Sequence, residues 1–157
     1  MIAIPLWLST SHPCSYLDHQ IAQSLMVADE QRMTVSVYSE LLQQGFRRSG
    51  NLVYKPYCKN CQACIPCRIN VADFRPDRNQ RRCLQHNQNL TAHIKPAVFD
   101  SQQTELFHRY SCARHAADPT PKRADDLSFF MSDWCKTWFV EFRLSEQLVA
   151  IAVILLS

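Results

Sequence analysis

The sequence predicts an α+β protein. Two kinds of segment intermix along the chain: capped stretches with apolar residues at helical spacing, and short runs that alternate apolar with polar or are apolar throughout. With 46% hydrophobic and 20% charged residues among 157, a real core is expected, and the length suits one compact domain, or one domain plus a small lobe. Only two glycines occur, which argues against a Gly-rich phosphate loop or a dinucleotide fingerprint, so no nucleotide cofactor is expected.

The elements follow in order. Thr34 or Ser36 is placed to cap a helix carrying Val37, Leu41 and Leu42 on its apolar face, with Gly45 as the residue just past its end. GFRRSG then reads as a tight polar connection to Gly50. Leu52 to Tyr57 reads as a strand and Cys67 to Val71 as its antiparallel partner, the cysteine-rich stretch joining them, while Pro56 and Pro66 suggest edges or turns. Asp77 and Gln80 form an N-cap and N3 pair that opens a basic helix, RNQRRCLQHNQ. In LTAHIKP, the alternation of Leu90, Ala92 and Ile94 with polar neighbours predicts a half-buried strand. Asp100 is placed to cap a helix with Leu106, Tyr110 and Ala113 on one face. A third helix is expected over about 125–137, with Leu127, Phe130, Met131 and Trp134 as its buried stripe. WFVEFRL and LVAIAVILL close the chain as strands joined at Ser145-Glu146-Gln147. The second is apolar on both faces, which predicts a place in the middle of a sheet.

Eight cysteines demand an account. Four of them, Cys58, Cys61, Cys64 and Cys67, recur every third residue in YCKNCQACIPC. The N-terminus lacks the basic region and cleavage site of a signal peptide. The longest apolar stretch, Leu148 to Leu156, is far short of the ~20 residues that span a bilayer. A cytosolic protein without a membrane partner is therefore expected, and there clustered thiols favour a metal or catalysis over disulfides. One zinc normally takes two ligands from such a knuckle and two from a distant segment, and Cys14 is available for that purpose. The spacing also approaches that of iron–sulfur cluster loops, and sulfur ligation admits zinc and a cluster alike. Cys83, Cys112 and Cys135 read as small buried hydrophobes on helices.

Charge is distributed unevenly. Between residues 45 and 95 stand ten Lys or Arg against Asp73 and Asp77, a local excess of eight positive charges, while the rest of the chain is net acidic. So concentrated a positive field suits a polyanion, above all a phosphate backbone. A metal-dependent nucleic-acid-binding module without catalysis fits both the cysteines and the basic segment. An electron carrier fits the cysteines but not the basic segment.

PCSYL at 13–17, GFRRSG at 45–50, YKPYCKNCQACIPCRI at 54–69, NQRR at 79–82 and CARH at 112–115 occur in this order. In that order and spacing the chain resembles the bacterial aminoacyl-tRNA–protein transferases, relatives of the eukaryotic arginyl-tRNA–protein transferases. The resemblance implies a small Cys-rich N-terminal lobe, taken as residues 1–75. It further implies an acyltransferase domain of the GNAT type with a mixed sheet, taken as 76–157. That domain is expected to be incomplete, because family members continue beyond AIAVILLS with further strands and helices. The chain thus reads as a truncated or frameshifted copy, and its activity is expected to suffer.

The resemblance also implies a reaction. A leucyl group moves from the 3′ end of leucyl-tRNA to the α-amine of a protein beginning with Asp or Glu, which then enters N-end-rule degradation. The ester is already activated, so neither ATP nor a covalent intermediate is needed, and positioning supplies much of the rate. Within the matched motifs His115 is the expected base and Arg114 its catalytic neighbour. Arg47, Arg48, Arg68 and Tyr54 are expected to bind the acidic substrate terminus, since Arg suits bidentate carboxylate contacts. Arg75, Arg78, Arg81 and Arg82 are assigned to tRNA phosphates. Cys14, Cys58, Cys61 and Cys64 are the expected metal ligands, with Cys67 a substitute or bystander because the family more often has another residue there.

Overall fold

The computed structural model of the chain describes residues 3–115 and 129–155. It divides into two compact units. One runs to Cys67 and takes in Ser132–Cys135, and the other comprises Arg68–Met131 and Lys136–Leu156. Strands and helices mix in both, as an α+β class requires, but every strand pair among the described residues is antiparallel. The expected mixed sheet is corrected accordingly.

In the first unit, β1 (Leu6–Leu8), β4 (Ser24–Val27), β6 (Leu52–Pro56) and β5 (Arg47–Ser49) form one sheet in the order β1-β4-β6-β5. A small hairpin, β2 (His12–Pro13) with β3 (Ile21–Ala22), stands apart from it. Helix α1 (Val35–Gln43) is specified at both ends. Thr34 Oγ1 accepts from the Val37 N–H at 3.2 Å, satisfying one of the orphan donors. At the other end Gly45 takes φ +86°, its N–H donates to the Leu42 carbonyl, and the Phe46 N–H reaches back to that of Leu41. This is the paired-bond ending that a left-handed residue permits, and it turns Phe46 inward. Val27, Met33, Val37, Tyr38, Leu41, Phe46 and Val53 form the core, with Trp134 packed edge-on to Tyr38 at 5.0 Å.

Two expectations fail in this unit. Cys67–Val71 is not a strand, because both edges of β6 are already taken, by β4 and by β5. And GFRRSG is more than a connection: Arg47–Ser49 is itself a strand, paired residue for residue with Leu52–Tyr54 across a turn at Gly50.

In the second unit α2 (Arg78–His86) opens with the expected capping box. Asp77 Oδ1 accepts from the Gln80 N–H and Gln80 Oε1 from the Asp77 N–H, both at 2.8 Å. Strands β7 (Leu90–Pro96), β8 (Thr137–Leu144) and β9 (Gln147–Leu155) form a sheet in that order. Among the described strands β8 is therefore central, and β9 pairs along one side only, with β8, the partner expected in WFVEFRL. Helix α3 (Ser101–His115) starts at a second capping box, in which Asp100 Oδ1 accepts from the Gln103 N–H and Gln103 Oε1 from the Asp100 N–H.

The face of β7 expected to be buried is the open one. Ile94 is 67% exposed, while Lys95 on the opposite face is half covered. The reason is Glu141, only 2% exposed, which draws Lys95 inward while Thr91 and His93 stay exposed. Its Oε1 accepts from Gln103 Nε2 and lies 2.5 Å from Lys95 Nζ, and its Oε2 accepts from Arg143 Nε and Nη2. The same bond rotates α3: Gln103, fully buried, and Ser111 face inward, while Tyr110 and Ala113 lie outside. Four donors answering one carboxylate outweigh its preference for water. The helix expected over 125–137 is also absent from its described part. Phe129–Phe130 is a single 3₁₀ turn, the chain bends through Ser132–Cys135, and β8 begins at Thr137; residues 125–128 lie outside the described residues. Adjacent Phe129 and Phe130 serve an aromatic cluster instead, Phe130 standing over Phe107 at 5.6 Å and Phe99 at 6.0 Å. Of the three cysteines read as small hydrophobes, Cys135 is buried and Cys112 half-buried beside His108 Nε2, but Cys83 is exposed.

Candidate functional site: a cavity of thiols and one guanidinium

A cavity of about 880 Å³ in the first unit gathers residues distant in sequence. Cys14, on the β2–β3 hairpin, and Cys58, Cys61 and Cys64, on the loop after β6, all line it. The hairpin holds Cys14 by its N–H, which donates to the Gln20 carbonyl at 2.9 Å. Cys58 Sγ donates to the Gln23 carbonyl at 3.7 Å. Cys67 is exposed, its Sγ turned to the Ile65 carbonyl, and takes no part in the lining. No disulfide joins any two of the cysteines among the described residues. Soft sulfur donors of this number suit zinc or an iron–sulfur cluster in their chemistry. Among the described residues, however, no three His, Cys, Asp or Glu side chains are drawn together around one point.

Strand alternation separates the two arginines of GFRRSG. Arg47 lines the cavity; Arg48 stands opposite Val53, on the core face. Arg48 Nη1 donates to the Gly50 carbonyl at 3.1 Å, and its guanidinium sits 6.0 Å from the Trp134 ring centre. Beside it, the Tyr38 hydroxyl is pushed above its ordinary pKa, because burial outweighs the nearby positive charge. Arg48 is thus half-buried against Trp134 and does not line the cavity. Arg47 is half-buried, and its side chain makes no hydrogen bond or ion pair among the described residues. Tyr54 is half-buried in register with Arg47 but does not line the cavity, and Arg68 is exposed.

The basic helix carries its arginines in full view. No residue of α2 is buried, and Arg78, Arg81 and Arg82 are all exposed. Arg81 Nη1 donates to the Pro76 carbonyl at 2.6 Å, and Arg75, also exposed, to the carbonyls of Ala72 and Phe74. Leu84 is left 65% exposed on the same helix. Arg114 is exposed near the end of α3, and of His115 only its place as the last residue of that helix is described.

A polar patch that the sequence reading missed lies on the second unit's sheet. Thr91, His93, Glu141, Arg143, Ser145 and Glu146 line a cavity of about 610 Å³. Its signal was present in the sequence as polar residues at every second position of both strands, THK in β7 and ER in β8. Here Glu141 is held far below the usual carboxylate range, at about 2. Burial alone would raise it, but hydrogen bonds from Lys95, Gln103 and Arg143 prevail.

Two family models match the chain in order. "Arginine-tRNA-protein transferase, N terminus" covers residues 12–82 and its C-terminal counterpart residues 102–156. Proteins named aspartate/glutamate leucyltransferase are close in sequence. That of Nitrosococcus oceani is 46% identical over 94% of this chain and 63% of its own length. That of Saccharophagus degradans is 40% identical, and one from Pseudomonas putida 42%, each over 96% of this chain and 65% of the relative. The chain therefore spans somewhat under two thirds of the length of these curated relatives. With both ends of one family matched over well more than half of its residues, the chain belongs to the arginine-tRNA–protein transferase family.

Proposed function

We propose that the protein transfers leucine from leucyl-tRNA to the N-terminal Asp or Glu of other proteins, in the cytosol, and so marks them for N-end-rule degradation. The observation that carries this reading is Arg47, a half-buried cation without a partner among the described residues, in a cavity otherwise rich in apolar side chains. A guanidinium in that setting is matched by a carboxylate, and an acidic N-terminal residue supplies one. The exposed arginines of α2, with Arg75, suit the phosphates of the tRNA, which fix its position without reading its sequence.

The chemistry asks little of the protein. The acceptor amine attacks the ester carbonyl, a tetrahedral oxyanion forms, and the 3′-hydroxyl of the tRNA leaves as the amide forms. An α-amine has a pKa near 7.7–8.0, so its proton is lost readily near neutrality, and holding amine and ester together supplies most of the rate. His115 is the proposed proton acceptor, with Arg114 beside it. Cys14, Cys58, Cys61 and Cys64 are the proposed ligands of zinc or an iron–sulfur cluster, which would tie the β2–β3 hairpin to the loop after β6. Metal content, and protection of these four thiols from alkylation, test that assignment directly.

The test of function is transfer of labelled leucine from leucyl-tRNA to peptides that differ only in their first residue. Asp and Glu peptides should accept label and Gly peptides should not. The competing reading, a nucleic-acid-binding module without catalysis, draws on the exposed basic helix alone and predicts tRNA binding with no label transferred.

A further inference from the structure

We infer that the Arg47 cavity also reads the residues behind the acidic one, and that it selects acceptor proteins whose second and third residues are aliphatic or aromatic. This rests on the reading of Arg47 as the carboxylate subsite. The cavity, at about 880 Å³, lies near the upper end of ordinary ligand pockets. The proposed metal ligands Cys14, Cys58, Cys61 and Cys64 form only part of its wall, which leaves lining beyond the needs of one Asp or Glu side chain. Its wall is unusual in composition. Tyr16 is 75% exposed, Ile65 74%, Tyr57 60%, Ile21 59% and Leu17 42%, and all five line it. Exposed apolar residues scattered singly need no explanation, but five around a single unpaired guanidinium mark a binding surface.

The occupant that fits is an extended, acid-headed, apolar N-terminal segment. Its carboxylate meets Arg47, and its following side chains cover the apolar wall. Alternatives match less well. A phosphate backbone would find one lining arginine and Lys59 amid apolar groups. A wholly apolar segment would leave the half-buried cation without an anion.

The experiment measures binding of three peptides with free α-amines to the 157-residue chain by fluorescence anisotropy: Asp-Leu-Phe-, Asp-Gly-Ser- and Gly-Leu-Phe-, with identical remaining sequence and a distal fluorophore. Asp-Leu-Phe- should bind at least about tenfold more tightly than Asp-Gly-Ser-, the effect expected when one large apolar side chain leaves water. Tyr16→Ser combined with Ile65→Ser should abolish that difference while Asp is still preferred to Gly at the first position. Both side chains are largely exposed, so the fold should survive, as circular dichroism would verify. Equal binding of the two Asp peptides, both ahead of Gly-Leu-Phe-, would overturn the inference and leave the Arg47 subsite standing. No preference for Asp over Gly would overturn the Arg47 subsite and this inference with it.

Discussion

Glu141→Gln should cost the second unit about 3 kcal/mol at pH 7, and the cost should vanish in acid. The magnitude follows from the depression of the Glu141 carboxyl from 4.5 to about 2, at 1.36 kcal/mol for each tenfold change in proton affinity. The direction follows from which form the fold prefers. Because the folded value lies below the unfolded one, the contribution is complete above pH 4.5 and is lost as pH falls through 2. Glutamine keeps the shape and one acceptor oxygen but discards the charge that Lys95 and Arg143 answer. Glu141→Ala should cost more, since it also takes the acceptor from Gln103 Nε2, a fully buried donor. Hydrogen exchange of the β8 amides, read from pH 7 downward, reports the opening of this unit directly. A wild-type and Glu141→Gln difference that stays constant down to pH 2 would refute the reasoning, as would no difference at pH 7.

Further outcomes follow from the turns and the basic helix. Gly45→Ala should lower stability by about 1–3 kcal/mol in thermal melts, for its φ of +86° disfavours any side chain and the added Cβ would meet Pro66 Cγ at 2.9 Å. Ser145→Gly, at φ +52° in the β8–β9 turn, should do the opposite and stabilise by about 0.5–1 kcal/mol. Arg81→Glu with Arg82→Glu should weaken tRNA binding and flatten its log–log salt dependence by roughly 0.7–0.9 per lost phosphate contact. An unchanged slope would assign both residues to a solvated face.

What the sequence displayed well was whatever is encoded locally. Thr34 and Gly45 frame α1, Asp77 and Gln80 open α2, and Asp100 opens α3, because a cap is a bond between near neighbours. Strand identity in β7, β8 and β9 was equally plain. The failures all concern choices made by distant partners. Which side chain of β7 is covered depends on Glu141, some fifty residues away, whose pull on Lys95 runs against the apolar pattern of Leu90, Ala92 and Ile94. Whether Cys67–Val71 pairs depends on β4, which claims the edge of β6 from upstream. The aromatic stripe around Phe130 has helical spacing, yet its rings are used by Phe99 and Phe107 of another segment. In the site, the cysteines and the basic segment were visible from spacing and charge. What was hidden was the distinction between Arg47 and Arg48, which only strand alternation and the position of Trp134 create.

The central claim is that Arg47 recognises the carboxylate of the acceptor's first residue. A double-mutant cycle tests it most directly, pairing Asp against Asn at the head of one peptide with Arg47 against Ala in the protein, and measuring all four affinities. A charge-assisted contact of this kind predicts a coupling of about 1.5–3 kcal/mol, so that Asp outranks Asn with Arg47 present and not without it. Strictly additive effects, with Asp still preferred by the same factor in Arg47→Ala, would contradict the account and move the carboxylate subsite to another cation.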